Sequence, residues 1–303
     1  MQSIHLQDGR YIGLTQYGDL EGFPIFFFHG TPGSRVMFLD DDPISQKLGI
    51  RLICLDRPGF GLSTPLPDRT ILDWAKDVLE VADNLGIQHF SVMGVSGGGA
   101  FAAGCAYQLP DRVLSAALIS STTPFQGGKP PKSMLKENKL AFFLSKKFPW
   151  LLKASYRSQK KMIENKPEKF KKLAKNGNKH LHPWDRQFLQ TDEQLEMMMT
   201  HLHEATRQSV DECIREPILL SKPWAFDMKD IQIPVDVWHG KEDTMAPFVE
   251  IEKIAQAIPN VKTHYIDQAG HFLTDVDDIW RDILLSLKER AEHQKQCIKK
   301  DPI

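Results

Sequence analysis

The chain reads as an α/β protein: a mostly parallel central sheet with helices on both faces and a block of helices inserted between two of its strands. Three observations predict this. Apolar runs of strand length recur with helical spacing between them. The alternation lapses for about a hundred residues after Thr122 and resumes at Ile233. A glycine-rich turn, Gly94-Val95-Ser96-Gly97-Gly98-Gly99, joins one apolar run directly to an alanine-rich helical stretch.

The elements follow in order. PIFFFHG (24–30) and RLICLD (51–56) are continuous apolar runs, as strands buried on both faces require. Ile71, Trp74, Ala75, Val78, Leu79, Ala82 and Leu85 keep helical spacing, and Gly86 supplies the stop. FSVMGV (90–95) is a strand, GGAFAAGCAYQL (98–109) a helix ended by Pro110, and LSAALIS (114–120) a further strand. Then only helical spacing recurs; Thr191-x-x-Gln194 has the form of a capping box. IPVDVWHG (233–240) restores the strand pattern. A helix from Pro247 to Ile258 has proline in its first turn. VKTHYID (261–267) is a strand and Asp277 to about Gln294 a terminal helix. The expected organisation is a core of 1–125 and 229–303 and a helical cap, or lid, of 126–228.

Bulk properties narrow the class. With 303 residues, 41% hydrophobic and 25% charged, the chain can bury a core without staples. Cys54, Cys105, Cys213 and Cys297 are scattered and form no C-x-x-C pair, so neither a disulfide framework nor a zinc site is expected. The polar start MQSIHLQDGR and the lack of an apolar run of about 18 residues point to the cytoplasm, with no membrane insertion. Charge is uneven: residues 128–180 hold 16 Lys/Arg against Glu137, Glu164 and Glu168, a local +13 within a chain of net −1. Such a stretch can steer anions or touch an acidic membrane surface, although exposed lysines are more often simply solvated. Basic and aromatic residues do not interleave as in nucleic-acid binders.

The turn at 94–99 carries chemistry. It satisfies G-x-S-x-G between a strand and a helix, the setting of a nucleophile elbow. The sharp turn strains the serine backbone, and Gly94 and Gly98 remove side chains that would collide with neighbouring elements. A phosphate loop would need G-x-x-x-x-G-K-[ST] and a dinucleotide site G-x-G-x-x-G near the first strand; neither is present, and no cofactor is expected. A serine nucleophile needs a base and an orienting acid. His271 follows the strand 261–267 in a loop at its C-terminal end. His29 and His239 each precede glycine and read as turns, and the pairs His180/His182 and His201/His203 are spaced so that neither shares a helix face, which disfavours a metal. HGKEDTMAP supplies the acid: Asp243 is favoured, with Glu242 its rival. The oxyanion donors are expected to be the backbone N–H groups of Gly97 and Thr31.

Five motifs in this order resemble the α/β-hydrolase fold superfamily: HG-x-P-G (29–33), D-x-x-G-x-G-x-S (56–63), G-x-S-x-G (94–98), HG-x-x-D (239–243) and Gly270-His271. The resemblance implies a serine esterase with a helical cap, nucleophile Ser96, base His271 and orienter Asp243, acting on a small ester or amide. Asp56 and Arg57 would then be structural parts of a turn. Dehalogenases and epoxide hydrolases of the superfamily carry aspartate where Ser96 stands. Proline iminopeptidases usually show HGGPG and DQRG where this chain has HGTPG and DRPG. An aminopeptidase would need acids over the site, for which Glu193, Glu196, Glu204, Asp211 and Glu212 are available. A non-catalytic receptor-like member of the fold is the third alternative. Val95, Trp184 and Trp224 are taken as pocket residues. Most other apolar residues of the cap (Phe142, Phe143, Phe148, Trp150, Met197, Met198 and Met199) are taken as its own core.

Overall fold

The computed structural model describes residues 2–37 and 42–300, without the side chains of residues 2 and 298–300. Residues 1, 38–41 and 301–303 of the expected core range lie outside it. In chain order the strands are β1 (Gln2–His5), β2 (Tyr11–Gly18), β3 (Phe23–Phe28), β4 (Ile50–Leu55), β5 (Phe90–Val95), β6 (Val113–Ile119), β7 (Val235–Gly240) and β8 (Val261–Ile266). They form one sheet in the order β1-β2-β4-β3-β5-β6-β7-β8. β1, β2 and β4 pair antiparallel and all other neighbours parallel.

Side chains of β3 alternate between the two faces of the sheet. Phe26 and Phe28 join a core with Trp74, Phe90 and Phe101, while Ile25 and Phe27 join a second core with Trp280 and Leu284. All four are fully buried, each worth about 1.5–3 kcal/mol relative to exposure. The first core is closed by α2 (Asp73–Asn84), α3 (Gly97–Gln108) and α10 (Phe248–Ala255). The second is closed by α1 (Pro43–Lys47) and α11 (Asp277–Lys300).

β1 and β2 are absent from the sequence reading. In β2, Gly13, Gln16 and Gly18 interrupt the apolar pattern, so the strand owes its existence to pairing with β4 rather than to its own side chains. Other boundaries move by one to three residues, and α11 runs six residues beyond the expected Gln294.

Between β6 and β7 lie α4 (Lys136–Lys147), α5 (Pro149–Asn165), α6 (Pro167–Gly177), α7 (Pro183–Arg186), α8 (Asp192–Ala205) and α9 (Glu212–Leu220), with no strand among the described residues. α5, α6 and α7 each begin on proline, whose missing N–H costs nothing in the first turn. At α8 both halves of the Thr191/Gln194 capping box form.

The strand order locates the crevice. From β3 the chain moves to β4 on one side, then returns to β5 on the other. Loops leaving β3 and β5 therefore diverge at the C-terminal edge of the sheet, where open α/β sheets bind ligands.

Candidate active site

Both diverging loops line one cavity of about 460 Å³. Gly30, Thr31 and Pro32 come from the β3 loop; Val95, Ser96 and Gly97 come from the turn after β5. Ser96 has φ 55° and ψ −120°, a conformation that L-residues seldom adopt, and it caps the N-terminus of α3. The glycines around it answer to close approach. A Cβ on Gly94 would stand 2.1 Å from the Gly98 carbonyl oxygen, and one on Gly98 would stand 2.1 Å from that of Phe28. The N–H groups of Thr31 and Gly97 donate to no acceptor among the described residues, and both residues line the cavity.

His271 lines the same cavity. Its Nδ1 lies 2.7 Å from Asp243 Oδ2. An ionised carboxylate only accepts, which fixes the ring proton on Nδ1 and leaves Nε2 as an acceptor. Asp243 is buried; its Oδ1 accepts the Met245 and Ala246 N–H groups, and Oδ2 also stands 3.3 Å from His239 Nε2. Burial opposes ionisation of Asp243, but His271 and His239 outweigh it and hold its pKa well below the carboxylate range. For His271, burial favours the neutral ring. The charge and hydrogen bond of Asp243, with smaller contributions from Asp185 and Asp275, more than offset this, and its pKa is raised. Glu242 is exposed, so of the two rival acids it is Asp243 that reaches the histidine. His239 is no mere turn residue: buried in β7, its Nε2 also pairs with the Ala246 carbonyl at 2.7 Å.

The helical segment supplies contacts that no motif announces. Glu216 of α9 is fully buried. It accepts two hydrogen bonds from Arg57, at 2.7 Å each, one from Arg69 at 2.9 Å and one from the Thr31 hydroxyl. Arg57 also donates to the carbonyls of His29 and Gly30 and to Thr31 Oγ1. The backbone of the β3 loop is thus clamped by an arginine from the β4 turn and a carboxylate from α9. Burial disfavours the Glu216 charge, but Arg57, then Arg69 and Thr31, lower its pKa below the ordinary glutamate value. A second ion pair crosses the boundary: Arg35 Nη1 bonds Asp56 at 2.6 Å and Glu204 of α8 at 2.7 Å. Asp185 of α7 accepts the backbone N–H groups of His271, at 2.6 Å, and Phe272, at 3.0 Å. Sequence spacing could not find these partners, because they act across 86 to 185 residues.

The cavity wall is otherwise apolar and rich in methionine: Met37, Met134, Met197, Met198 and Met245 all line it. Methionine adapts to varied ligand shapes. Among the described lining residues Asp275 alone has a carboxylate; although the residue is exposed at the cavity, desolvation of the carboxyl raises its pKa to about 6. His201, also lining, is pulled by burial to about 4 and is uncharged at neutral pH. The acids considered for an aminopeptidase are engaged elsewhere: Glu196 with Lys171, Glu204 with Arg35, Asp211 with Lys153 and Glu212 with Arg69, while Glu193 is exposed. None of the five lines the cavity.

Among the expected pocket residues, Val95 lines the cavity. Trp184 and Trp224 do not, and that expectation is corrected. An indole N–H must find an acceptor when buried. That of Trp224 bonds the Leu220 carbonyl inside the first core, and that of Trp184 bonds the Phe272 carbonyl at the edge of the second. Two expectations for the helical segment also change. Phe142 and Met197 line the cavity rather than a separate core, Met198 lines it while also packing against a small core, and Phe143, Phe148 and Trp150 are exposed. Met199 does lie in a small core with Ile163 and Phe170.

A family model described as alpha/beta hydrolase fold matches residues 24–278. A bifunctional esterase/perhydrolase of Acinetobacter calcoaceticus is 26% identical over 95% of this chain and 100% of its own length. The dihydrolipoyllysine-residue acetyltransferase component of the acetoin cleaving system of Cupriavidus necator is 38% identical over 98 residues, and that match spans only 26% of the relative. Among solved structures, an esterase from Exiguobacterium antarcticum superposes with a TM-score of 0.68 at 20% identity, covering 94% of this chain and 98% of that one.

Proposed function

Because the chain belongs to the alpha/beta hydrolase fold family, we propose that it is a serine hydrolase of small carboxylic esters. The observation that carries this is the hydrogen-bonded pair His271–Asp243 opening onto the same cavity as Ser96, at a strained strand-to-helix turn.

In this mechanism Ser96 Oγ attacks the ester carbonyl as His271 Nε2 takes the hydroxyl proton. Asp243 holds the ring and stabilises the imidazolium. The carbonyl oxygen becomes an oxyanion, received by the Thr31 and Gly97 N–H groups; each such donor is worth about 3–4 kcal/mol. Collapse breaks the C–O bond, and His271 returns the proton to the leaving alcohol. Water, deprotonated by His271, then attacks the acyl-enzyme and releases acid and Ser96.

Residues 126–228 act as a cap that selects the acyl group. Phe142, Met197, Met198 and Leu220 from this segment line the same cavity as Ser96 and support that role. The acids an aminopeptidase reading would need are held in ion pairs or exposed outside the cavity, which favours an ester.

A fluorophosphonate probe tests the reading. It is expected to label Ser96 alone, and Ser96→Ala is expected to lose about 10⁴-fold or more in kcat on p-nitrophenyl esters while keeping its melting temperature. Labelling at another residue, or an active alanine variant, sinks the proposal.

A further inference from the structure

Among the described residues, nine large hydrophobic side chains are exposed, and five of them fall within twelve residues at the junction of α4 and α5: Leu140, Phe143, Phe148, Trp150 and Leu151. Trp150 is 67% exposed. The rings of Phe143 and Phe148 meet at 5.9 Å, which joins the exposed residues of both helices into one patch. At its centre Lys146-Lys147-Phe148-Pro149-Trp150-Leu151 is exposed at every position. A solvated helix face carries polar residues; Phe, Trp and Leu at such density mark a surface that something covers.

The charge around the patch says what covers it. Of the eight basic residues on α4 and α5, only Lys153 forms an ion pair among the described residues, with Asp211. The patch sits in the 128–180 stretch with its excess of 13 positive charges. A second copy of the chain docking here about a twofold axis would press these unpaired lysines against one another. Aromatic and leucine side chains ringed by lysine match the interfacial zone of an anionic bilayer, where tryptophan settles among headgroups and lysine meets lipid phosphate and carboxylate. No helix among the described residues is long and apolar enough to cross a membrane, and peripheral docking needs none.

We propose that the α4–α5 junction seats the protein on an anionic lipid surface. The opposite face of α4 presents Asn138, Ala141 and Phe142 to the cavity. Docking therefore places one wall of the cavity against the lipid. The proposal does not rest on the hydrolytic reading, since binding and hydrolysis are measured separately.

The full chain is mixed with phosphatidylcholine vesicles with and without about a third phosphatidylserine, and sedimented. Binding is expected to be at least about tenfold tighter to the anionic vesicles and to weaken about tenfold at high salt. The double variant Phe148→Ser/Trp150→Ser and the pair Lys146→Glu/Lys147→Glu are each expected to lose about tenfold in vesicle binding. Both are expected to keep wild-type hydrolysis of a short, water-soluble ester and a wild-type melting temperature. Emission from Trp150 is expected to shift to the blue on anionic vesicles and to be quenched by brominated lipid, a response the double variant lacks. Three results overturn the proposal: no binding to anionic vesicles at low salt, binding indifferent to the Phe148 and Trp150 changes, or a wild-type dimer that Trp150→Ser converts to monomer.

Discussion

Ser96, on the sheet, and Glu216, in the helical segment, are held in place by different physics. Ser96 is placed by its immediate neighbours: a strand, four glycines and a helix within a dozen residues. Glu216 is placed by the charges of Arg57 and Arg69 and the hydroxyl of Thr31, 147 to 185 residues away in the chain. The sheet side supplies the reacting groups. The helical side supplies carboxylates that restrain them: Glu216 on the β3 loop and Asp185 on the loop of His271. A wall that merely shaped the cavity would not need buried carboxylates tied to loops on the other side. On the proposed mechanism the helical segment is coupled to the chemistry as well as to the choice of substrate, and substitutions on each side can separate those two parts.

The largest effect is expected on the sheet side. Asp243→Asn should lower kcat by about 10⁴-fold, the cost of the same change in a serine protease triad, because an amide favours the wrong histidine tautomer. Glu242→Gln, at an exposed neighbour, should stay within about twofold of wild type. The pH profile sharpens this. His271 must be neutral to accept the Ser96 proton, so kcat/KM rises as the ring loses its proton. Its pKa is raised above 6.5 chiefly against burial by Asp243, so the wild-type acid limb should have its midpoint above that value. In Asp243→Asn the midpoint should move to lower pH. A crippled Glu242→Gln beside a mild Asp243→Asn would reverse the assignment of the acid.

Next in size is Glu216. Glu216→Ala leaves Arg57 buried without its partner and Arg69 with Glu212 alone, and about 3–5 kcal/mol of stability should be lost, read as a lower melting temperature. Glu216→Gln keeps the shape and removes the charge. It should lower kcat about tenfold or more with little change in KM, since the Thr31 N–H acts on the oxyanion and not on the bound ester. If Glu216→Gln retains full kcat, the helical side is only a wall, and the distinction between the two sides collapses.

The same contrast explains what the sequence showed of the molecule. β3 to β7 were legible because each is an apolar run whose side chains fill a core on one or both faces of the sheet, while the more polar β8 packs only the partly buried Val261, Tyr265 and Ile266 against the cores. β1 and β2 were not, since pairing and not composition makes them strands. Ser96, His271 and Asp243 each sit at the end of a strand, where a short motif records the turn geometry. Arg57 was visible as part of a turn, but its work on the β3 loop was not, because that depends on Glu216 arriving from α9. The pocket tryptophans were misplaced for a related reason. Spacing shows that a helix has an apolar side; it does not show whether that side meets a cavity, a core or the outside. Phe142 and Phe143 are adjacent on α4, and one lines the cavity while the other is exposed.

On the loop of His271, Asp185→Ala removes the acceptor of two backbone N–H groups. About 1–3 kcal/mol of stability should be lost. kcat/KM should fall about tenfold as the ring loses its fixed position. Unchanged kinetics would show that the loop holds itself.

The smallest effect is expected from Asp275, which faces the cavity and titrates near the working range. Its carboxylate stabilises the His271 imidazolium, more weakly than Asp243 or Asp185 does. Asp275→Asn removes that charge, so more acid is needed to protonate His271, and the midpoint of the kcat/KM acid limb should shift to lower pH by less than in Asp243→Asn. The slope should change as well. With its pKa raised to about 6 by shielding from bulk water, Asp275 gains its proton over part of the range in which His271 does. Protonation of either group makes protonation of the other less favourable, so the wild-type limb should be shallower than a single-proton curve. The asparagine variant should recover the single-proton slope while kcat on the alkaline plateau stays within about twofold of wild type. A midpoint that moves to higher pH would mean that Asp275 acts on His271 with the opposite sign, and a plateau that collapses would move Asp275 from the electrostatic background into direct contact with the reacting ester.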